Sequence, residues 1–462
     1  MAKLFKFAVR AVVAAAAGVV FAATGASYAH AADAPVTGAT PALIEKGKNL
    51  AVAGDCIACH STAGKPEYTG GLAIASPLGT IYSTNITPST KSGIGSYTFE
   101  QFSRAVRGGV RADGSHLYPA MPYTAYAKLT DDDTAALYAY FMHGVKADDT
   151  PSPATSLPFP FNLRFSMTVW NALYLDTKPY VADKSKSVEW NRGAYLALGL
   201  AHCATCHTPR NFLMGEISSQ YLRGGSLGTW YAPDITSGAL THAGWDQAAL
   251  QAYLTTGHAP NGATAGGPML EAIDKSFSKM DPSDIKAMSV YLTDLPAHQR
   301  SAPASATAAV QPIATTDIAE MAGKIGAGER LYRNNCAACH QVNGDGVRGL
   351  PALRNHPALR YPTADNVGMA ILEGVWPEHK QGMPGFEDQL NDREVADLTN
   401  YVMATFSQSR VTINEHRVRE LRTGGAASPL LLLARAGMAL GLLLIVALLW
   451  RWQRRRTART AL

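Results

Sequence analysis

Cysteine is scarce in this chain, with six residues in 462. A disulfide framework belongs to small, cysteine-dense secreted domains, so that architecture is excluded. Charge is thin as well: Asp, Glu, Lys and Arg make up 17% of the residues, and the formal balance of +5 misleads. It splits into +3 over residues 1–31 (Lys3, Lys6, Arg10), +6 from residue 429 onward (Arg435, Arg451, Arg454, Arg455, Arg456, Arg459) and −4 between. The bulk of the chain is therefore weakly acidic and offers no basic stripe to a nucleic acid. No Gly-rich dinucleotide fingerprint is read after a strand, and no nucleophile elbow is read either. What the chain does have is 47% hydrophobic residues, enough for roughly three domains of ordinary size, each with a core.

All six cysteines fall in three copies of one pattern: Cys56-Ile-Ala-Cys59-His60, Cys203-Ala-Thr-Cys206-His207 and Cys336-Ala-Ala-Cys339-His340. Cys-x-x-Cys-His is the attachment sequence of c-type haem. The two thiols add to the haem vinyl groups about one helical turn apart, and the adjacent His presents an imidazole nitrogen to the iron. A zinc site would want paired half-sites converging on one tetrahedron, and a thioredoxin-like pair has no need of the trailing His. Three covalent haems c are predicted, held by Cys56, Cys59, Cys203, Cys206, Cys336 and Cys339, with His60, His207 and His340 as proximal ligands.

The surrounding sequence repeats on the same plan. Helix-like stretches at Leu43–Ala53, Arg192–Ala201 and Gly326–Asn334 precede the motifs, and each carries a glycine (Gly47, Gly193, Gly328) where a second helix can approach closely. The partner helices are found by their likeness: Leu137-Tyr-Ala-Tyr140, Met288-Ser-Val-Tyr291 and Leu398-Thr-Asn-Tyr401, each behind a polar cap (Thr130, Asp281, Asn391). A middle helix ending in Gly recurs at 99–108, 246–257 and 366–374. The first two copies share an insertion about 25 residues beyond the His, Ser83-Thr-Asn-Ile-Thr87 and Ala232-Pro-Asp-Ile-Thr236, which marks them as the closer pair. The expected architecture is all-α, three tandem domains at 40–147, 187–297 and 321–408. The connection at 148–186 is rich in proline and aromatics, so it is expected to pack on the first domain or on a partner. The one at 298–320 is Ala/Ser/Pro-rich and expected to be extended.

Between each Gly-ended helix and the last helix lies a methionine beside Pro or Gly: Met121 in Tyr118-Pro-Ala-Met-Pro122, Met269 in Gly266-Gly-Pro-Met269, Met383 in Gly382-Met-Pro-Gly385. Such neighbours fix loops, and a loop thioether suits the second axial position of an electron-transfer haem. Met121, Met269 and Met383 are the expected sixth ligands, with Met280, His116, His202 and His258 weighed and set aside. If every iron is filled on both sides, the haems relay electrons and no substrate-oxidising centre is expected.

The ends address the chain to a membrane. Residues 1–31 read as a secretory signal, a basic start and an apolar run before Ala29-His30-Ala31. Leu430–Trp450 is long enough to span a bilayer core at 1.5 Å per residue, giving an anchor at 429–451 and a basic tail at 452–462. The arginines after it predict a cytoplasmic tail and haem domains outside. Arg435, five residues in, is expected to snorkel to the outer face. A shorter helix lying in the interface after Arg435 is the alternative.

Together these features resemble the triheme cytochrome c subunits of membrane-bound periplasmic dehydrogenases, the alcohol, gluconate, fructose, sorbitol and aldehyde dehydrogenases. The resemblance rests on Tyr82-Ser-Thr-Asn-Ile-Thr-Pro88, Leu117-Tyr-Pro-Ala-Met-Pro-Tyr123, Leu137-Tyr-Ala-Tyr140 and Ala201-His-Cys-Ala-Thr-Cys-His-Thr-Pro-Arg-Asn211. It implies a catalytic partner carrying flavin, quinone cofactor or molybdopterin, electron delivery to ubiquinone, and a place in the cytoplasmic (inner) membrane with the haems in the periplasm. Donation to a terminal oxidase is the alternative, and a peroxidase with one five-coordinate iron is a third class.

Overall fold

In the computed structural model, which describes residues 39–295, 326–347, 350–378 and 381–460, short capped helices carry most of the chain. The expected leader at 1–31 and the second connection at 298–320 lie outside the described residues. Thr40 accepts a hydrogen bond from the Leu43 N–H at 3.2 Å and Pro41 sits in the first turn, which starts helix α1 (Pro41–Ala53). Thr130 caps α2 (Asp131–Ala139) in the same way, and Asp131, Asp132 and Asp133 face its positive end. The aromatic connection contains α3 (Ser166–Tyr174). Then come α4 (Val188–Leu198), α5 (Gly267–Lys275) and α6 (Pro282–Thr293). Residues 326–335 form α7. Helix α8 (Asp392–Ser407) starts at a capping box in which Asn391 and Glu394 satisfy each other's backbone N–H.

One helix crossing occurs three times. Gly47 of α1 lies on the Ala136 carbonyl and Tyr140, Gly193 of α4 on the Ala287 carbonyl and Tyr291, and Gly328 of α7 on the Asp397 carbonyl and Tyr401. A Cβ at any of the three would overlap the carbonyl, so glycine sets how closely the helices approach. The repeated glycines and tyrosines of the sequence are thus the two sides of one contact. The first two crossings share a core, in which Leu50 and Leu137 join Leu196, Leu200, Ile273 and Met288. Tyr195 of α4 ties them further, donating to buried Asp133 at 2.6 Å while Lys46 holds the other carboxylate oxygen at 2.7 Å. The third crossing has its own core around Tyr332, Leu398 and Met403, into which Trp230 reaches.

The architecture is all-α as expected, with two small additions. Hairpins β1 (Ala73–Ser76)–β2 (Gly79–Tyr82) and β3 (Arg223–Ser226)–β4 (Tyr231–Asp234) fill the insertion shared by the first two copies. Their strands are four residues each, too short to carry an alternation in sequence. Two glycine-rich stretches spell catalytic motifs by letter without their setting. Gly224-Gly-Ser226-Leu-Gly228 lies in the β3–β4 hairpin and not on a strand-to-helix turn. The stretch that opens with Gly344-Asp-Gly346 follows the third Cys-x-x-Cys-His helix and not a strand.

The connection at 148–186 packs on the first copy. Asn85 donates to the Asp148 and Thr150 carbonyls at 2.9 Å each, Tyr118 Oη to the Phe161 carbonyl at 2.8 Å, and Tyr123 Oη to Asn171 Oδ1 at 2.7 Å. Helix α9 (Glu415–Arg422) was not expected, because only Val418 and Leu421 of its eight residues are buried. Its Arg417 forks onto Asp365 at 3.1 and 2.8 Å and donates to the Gly228 carbonyl. Finally α10 (Leu430–Thr460) runs through the basic end as one helix; an 18-residue window within Leu430–Arg454 has mean hydropathy 2.4 and is unburied by the fold. Arg435 is exposed, and its Nε donates to the Phe159 carbonyl at 3.2 Å.

Replacing Gly193 by Ala should force α4 and α6 apart at a cost of about 1–3 kcal/mol. Thermal unfolding checks this, with a lowered midpoint expected for Gly193→Ala and none for Gly238→Ala, where a Cβ meets open space.

Candidate haem-binding sites

Each Cys-x-x-Cys-His run folds as one short helix, Cys56–His60, Cys203–His207 and, from its second residue, Ala337–His340. That places the two thiols of each pair on the same side, one turn apart. Asp55 and His202 enter the first two helices with left-handed backbone, φ 50° and 36°, a sharp corner that separates α1 and α4 from the attachment helices. None of the six cysteines is in a disulfide. Burial pushes Cys56, Cys59 and Cys203 up to about 12 and Cys336 to about 11.

The three histidines share a decisive bond. Nδ1 of His60 lies 2.7 Å from the Thr84 carbonyl, that of His207 2.7 Å from the Pro233 carbonyl, and that of His340 3.0 Å from the Pro351 carbonyl. A carbonyl only accepts, so Nδ1 carries the proton and Nε2 keeps its lone pair for a metal. Burial lowers all three ring pKa values, with the carbonyl bond acting against it, so the rings are held neutral. Thr84 and Pro233 come from the inserted segments after β2 and in β4. The insertion seen in the sequence is what aims the first two rings.

The second and third motifs open on one cavity of about 950 Å³, at the upper end of the roughly 300–1,000 Å³ typical of cofactor sites. Cys203, Cys206, His207 and Met269 line one part, and Cys336, Cys339, His340 and Met383 the other. Met280 is buried in the core and does not line it. Met269 sits in the first turn of α5, with Pro268 before it, and not in the loop that its neighbours suggested. Met383 is on a loop, paired through its backbone with Val375 at 2.8 and 2.9 Å. Of the first set, Cys56 and Met121 pack against one core cluster but do not border this cavity. The Met121 loop is braced from behind, with the Arg164 guanidinium 4.5 Å over the Tyr118 ring.

The residues present therefore fit haem c: paired thiols, a neutral imidazole with the correct nitrogen free, and a thioether in the same enclosure. Among the described residues no cluster of three or more His, Cys, Asp and Glu is grouped to hold a bare metal ion. Residues 44–144 and 325–406 match the Cytochrome c family. The chain is 41% identical to the fructose dehydrogenase cytochrome subunit of Gluconobacter japonicus, over 90% of this chain and 92% of that one.

This chain belongs to the cytochrome c subunits of dehydrogenases. Two further members agree. It is 36% identical to the cytochrome c subunit of the quinone alcohol dehydrogenase of Gluconobacter oxydans (strain 621H), over 89% and 87% of the two chains. It is 35% identical to the gluconate 2-dehydrogenase cytochrome c subunit of Pantoea cypripedii, over 83% and 90%. Cytochrome c domains imply covalently bound haem c.

Three residues of these cytochrome sites were not anticipated. His356 borders the shared cavity, with Nε2 on Thr264 at 3.0 Å and Nδ1 accepting from Ala358 N–H, so neither nitrogen is left for iron. Trp230 stands between the second and third motifs, against Gly266 and Gly267. Asp55 borders the same cavity from the first motif, with Oδ1 buried and unpaired. None of them lies in a repeated pattern, so nothing in the sequence singles them out. His116, weighed as a ligand, bonds Thr168 at 2.9 Å instead.

Burial, with Glu271 second and Lys275 and Lys279 opposing, raises the Asp55 carboxyl to about 8 from 3.8. Between those values the folded chain holds a proton that the unfolded chain has lost. Stability should therefore fall as pH rises through that window and level off above it. Denaturant midpoints measured from acidic to mildly alkaline pH should show that slope in the native chain and a flatter one in Asp55→Asn.

Proposed function

We propose that this chain is the electron-relay subunit of a membrane-bound dehydrogenase complex, carrying three haems c in domains at 40–147, 187–297 and 321–408. The observation that carries the reading is the bond from histidine Nδ1 to a backbone carbonyl, made in the same way at all three motifs. Haem c, when bound, supplies a one-electron iron couple whose potential a thioether ligand raises. Cys56 and Cys59, Cys203 and Cys206, and Cys336 and Cys339 hold the three groups. His60, His207 and His340 present Nε2, and Met121, Met269 and Met383 supply the second axial ligand.

The second site is the middle of the relay. It shares a cavity with the third, and α5, which carries Met269, packs against the Cys56–His60 helix of the first. The names of the relatives support a catalytic partner that oxidises a sugar, alcohol or sugar acid; the resemblance of the motifs adds flavin, quinone cofactor or molybdopterin as its redox group. Electrons leave for ubiquinone. Helix α10 anchors the chain in the inner membrane, with Trp450 and the arginines after it at the cytoplasmic side, so the haem domains face the periplasm.

Affinity capture of the full chain from solubilised membranes should bring a dehydrogenase polypeptide with it and give three haems per chain by pyridine haemochrome spectroscopy. Oxidase subunits in its place, or two haems, would overturn the partner or the count respectively. Met121→Ala, Met269→Ala and Met383→Ala should each lower one midpoint potential while leaving the haem attached. A redox titration unchanged by a given substitution removes that methionine from the ligand set.

A further inference from the structure

Helix α3 is unusual for a surface helix in having no charged residue, Ser-Met-Thr-Val-Trp-Asn-Ala-Leu-Tyr. Its inner face is fully used. Asn171 is buried under Tyr123, Trp170 Nε1 donates to the Leu213 carbonyl at 3.0 Å, and Tyr174 Oη accepts from Asn211 at 3.1 Å. Its outer face is apolar and bare: Val169 is 64% exposed and Leu173 62%, with Phe165 just before the helix at 70%. Residues 165, 169 and 173 are spaced i, i+4, i+8, so they form one stripe. A stripe of this kind on a helix without charge, with Arg164 before it turned onto the Tyr118 ring, is not an ordinary solvated face.

The same segment meets the anchor. The Phe159 carbonyl accepts from Arg435, in the second turn of α10, about 7.5 Å along the helix from Leu430 at 1.5 Å per residue. A charged group in a membrane helix pairs with a backbone carbonyl where water is scarce, and here the strap provides one. The Phe159 side chain is itself 51% exposed. The segment that starts at the helix entering the bilayer therefore carries its apolar stripe away from that point across the outside of the protein.

We propose that Phe159, Phe165, Val169 and Leu173 form a second, monotopic membrane contact that lies on the outer leaflet beside the α10 span. The occupant is the lipid surface, argued from continuity with the anchor through the Arg435–Phe159 bond and from the absence of charge on α3. An interfacial helix sinks its apolar face roughly 5–10 Å into the headgroup–acyl boundary, which matches a single stripe backed by protein. This contact rests on the reading of α10 as a span. It goes beyond that reading by fixing the orientation of the haem-bearing body: the Met121 loop and the loop after His207, both bonded to α3, are held next to the bilayer.

The test uses the full chain in its complex, in phosphatidylcholine vesicles containing a phosphatidylcholine with a photoreactive diazirine tail. After illumination and digestion, lipid adducts are mapped by mass spectrometry. Adducts are expected on peptides covering 159–174 as well as on those covering 430–450. Adducts on α10 alone overturn the proposal and leave the stripe to a protein partner. Adducts on neither overturn the span reading as well. In Val169→Ser/Leu173→Ser the strap adducts should fall several-fold, with α10 adducts and haem content unchanged, since both side chains are exposed. Equal strap labelling in the variant overturns the proposal.

Discussion

A proton on the wrong nitrogen would disable each of these sites, and one hydrogen bond prevents it. His60, His207 and His340 all give Nδ1–H to a main-chain carbonyl. The bond selects the tautomer, turns the ring and makes Nε2 a better donor to iron. A main-chain acceptor has no side chain to lose and no charge to titrate. It does require a stretch of chain to pass at hydrogen-bond distance from a residue 11, 24 or 26 positions earlier. The two hairpins and the Pro351 turn exist where that requirement falls. The glycine crossings serve the same end, because the helix that leads into each motif is seated by the one that closes the unit.

The three units are not beads on a string. The first two share one core, and Tyr195 satisfies a buried carboxylate of its neighbour. The second and third share a cavity, with Trp230 and His356 between them. Electron relay needs donor and acceptor held at fixed short separation, and a common core with a common enclosure fixes separation better than a flexible linker does. The strap at 148–186 adds to this, since it braces the Met121 loop through Tyr118 and Tyr123 and the second unit through Trp170.

Much of this was legible in the chain. Cys-x-x-Cys-His is read by spacing, and the Gly-to-Tyr contacts by repetition, because both are local or recur three times. The methionines were chosen by position, and Met269 begins a helix; Pro268, read as a loop former, is equally at home in a first turn. The carbonyl partners were hidden because any residue type can supply one. Asp55, His356 and α9 were hidden for a related reason: each acts across a contact between units, and a single sequence carries no signal for which of its distant parts meet. Arg435 was the one charged residue whose position was seen and whose partner was not.

The burial of the thiols has a consequence for biogenesis. Cys56 and Cys203 are half-buried, and burial disfavours the thiolate that bond formation requires. The more nearly the helix crossings are closed, the more of each thiol is covered, so attachment is favoured while the chain is still open. In that order of events the attached group would be the template on which each unit closes, and the core shared by the first two would couple their closure.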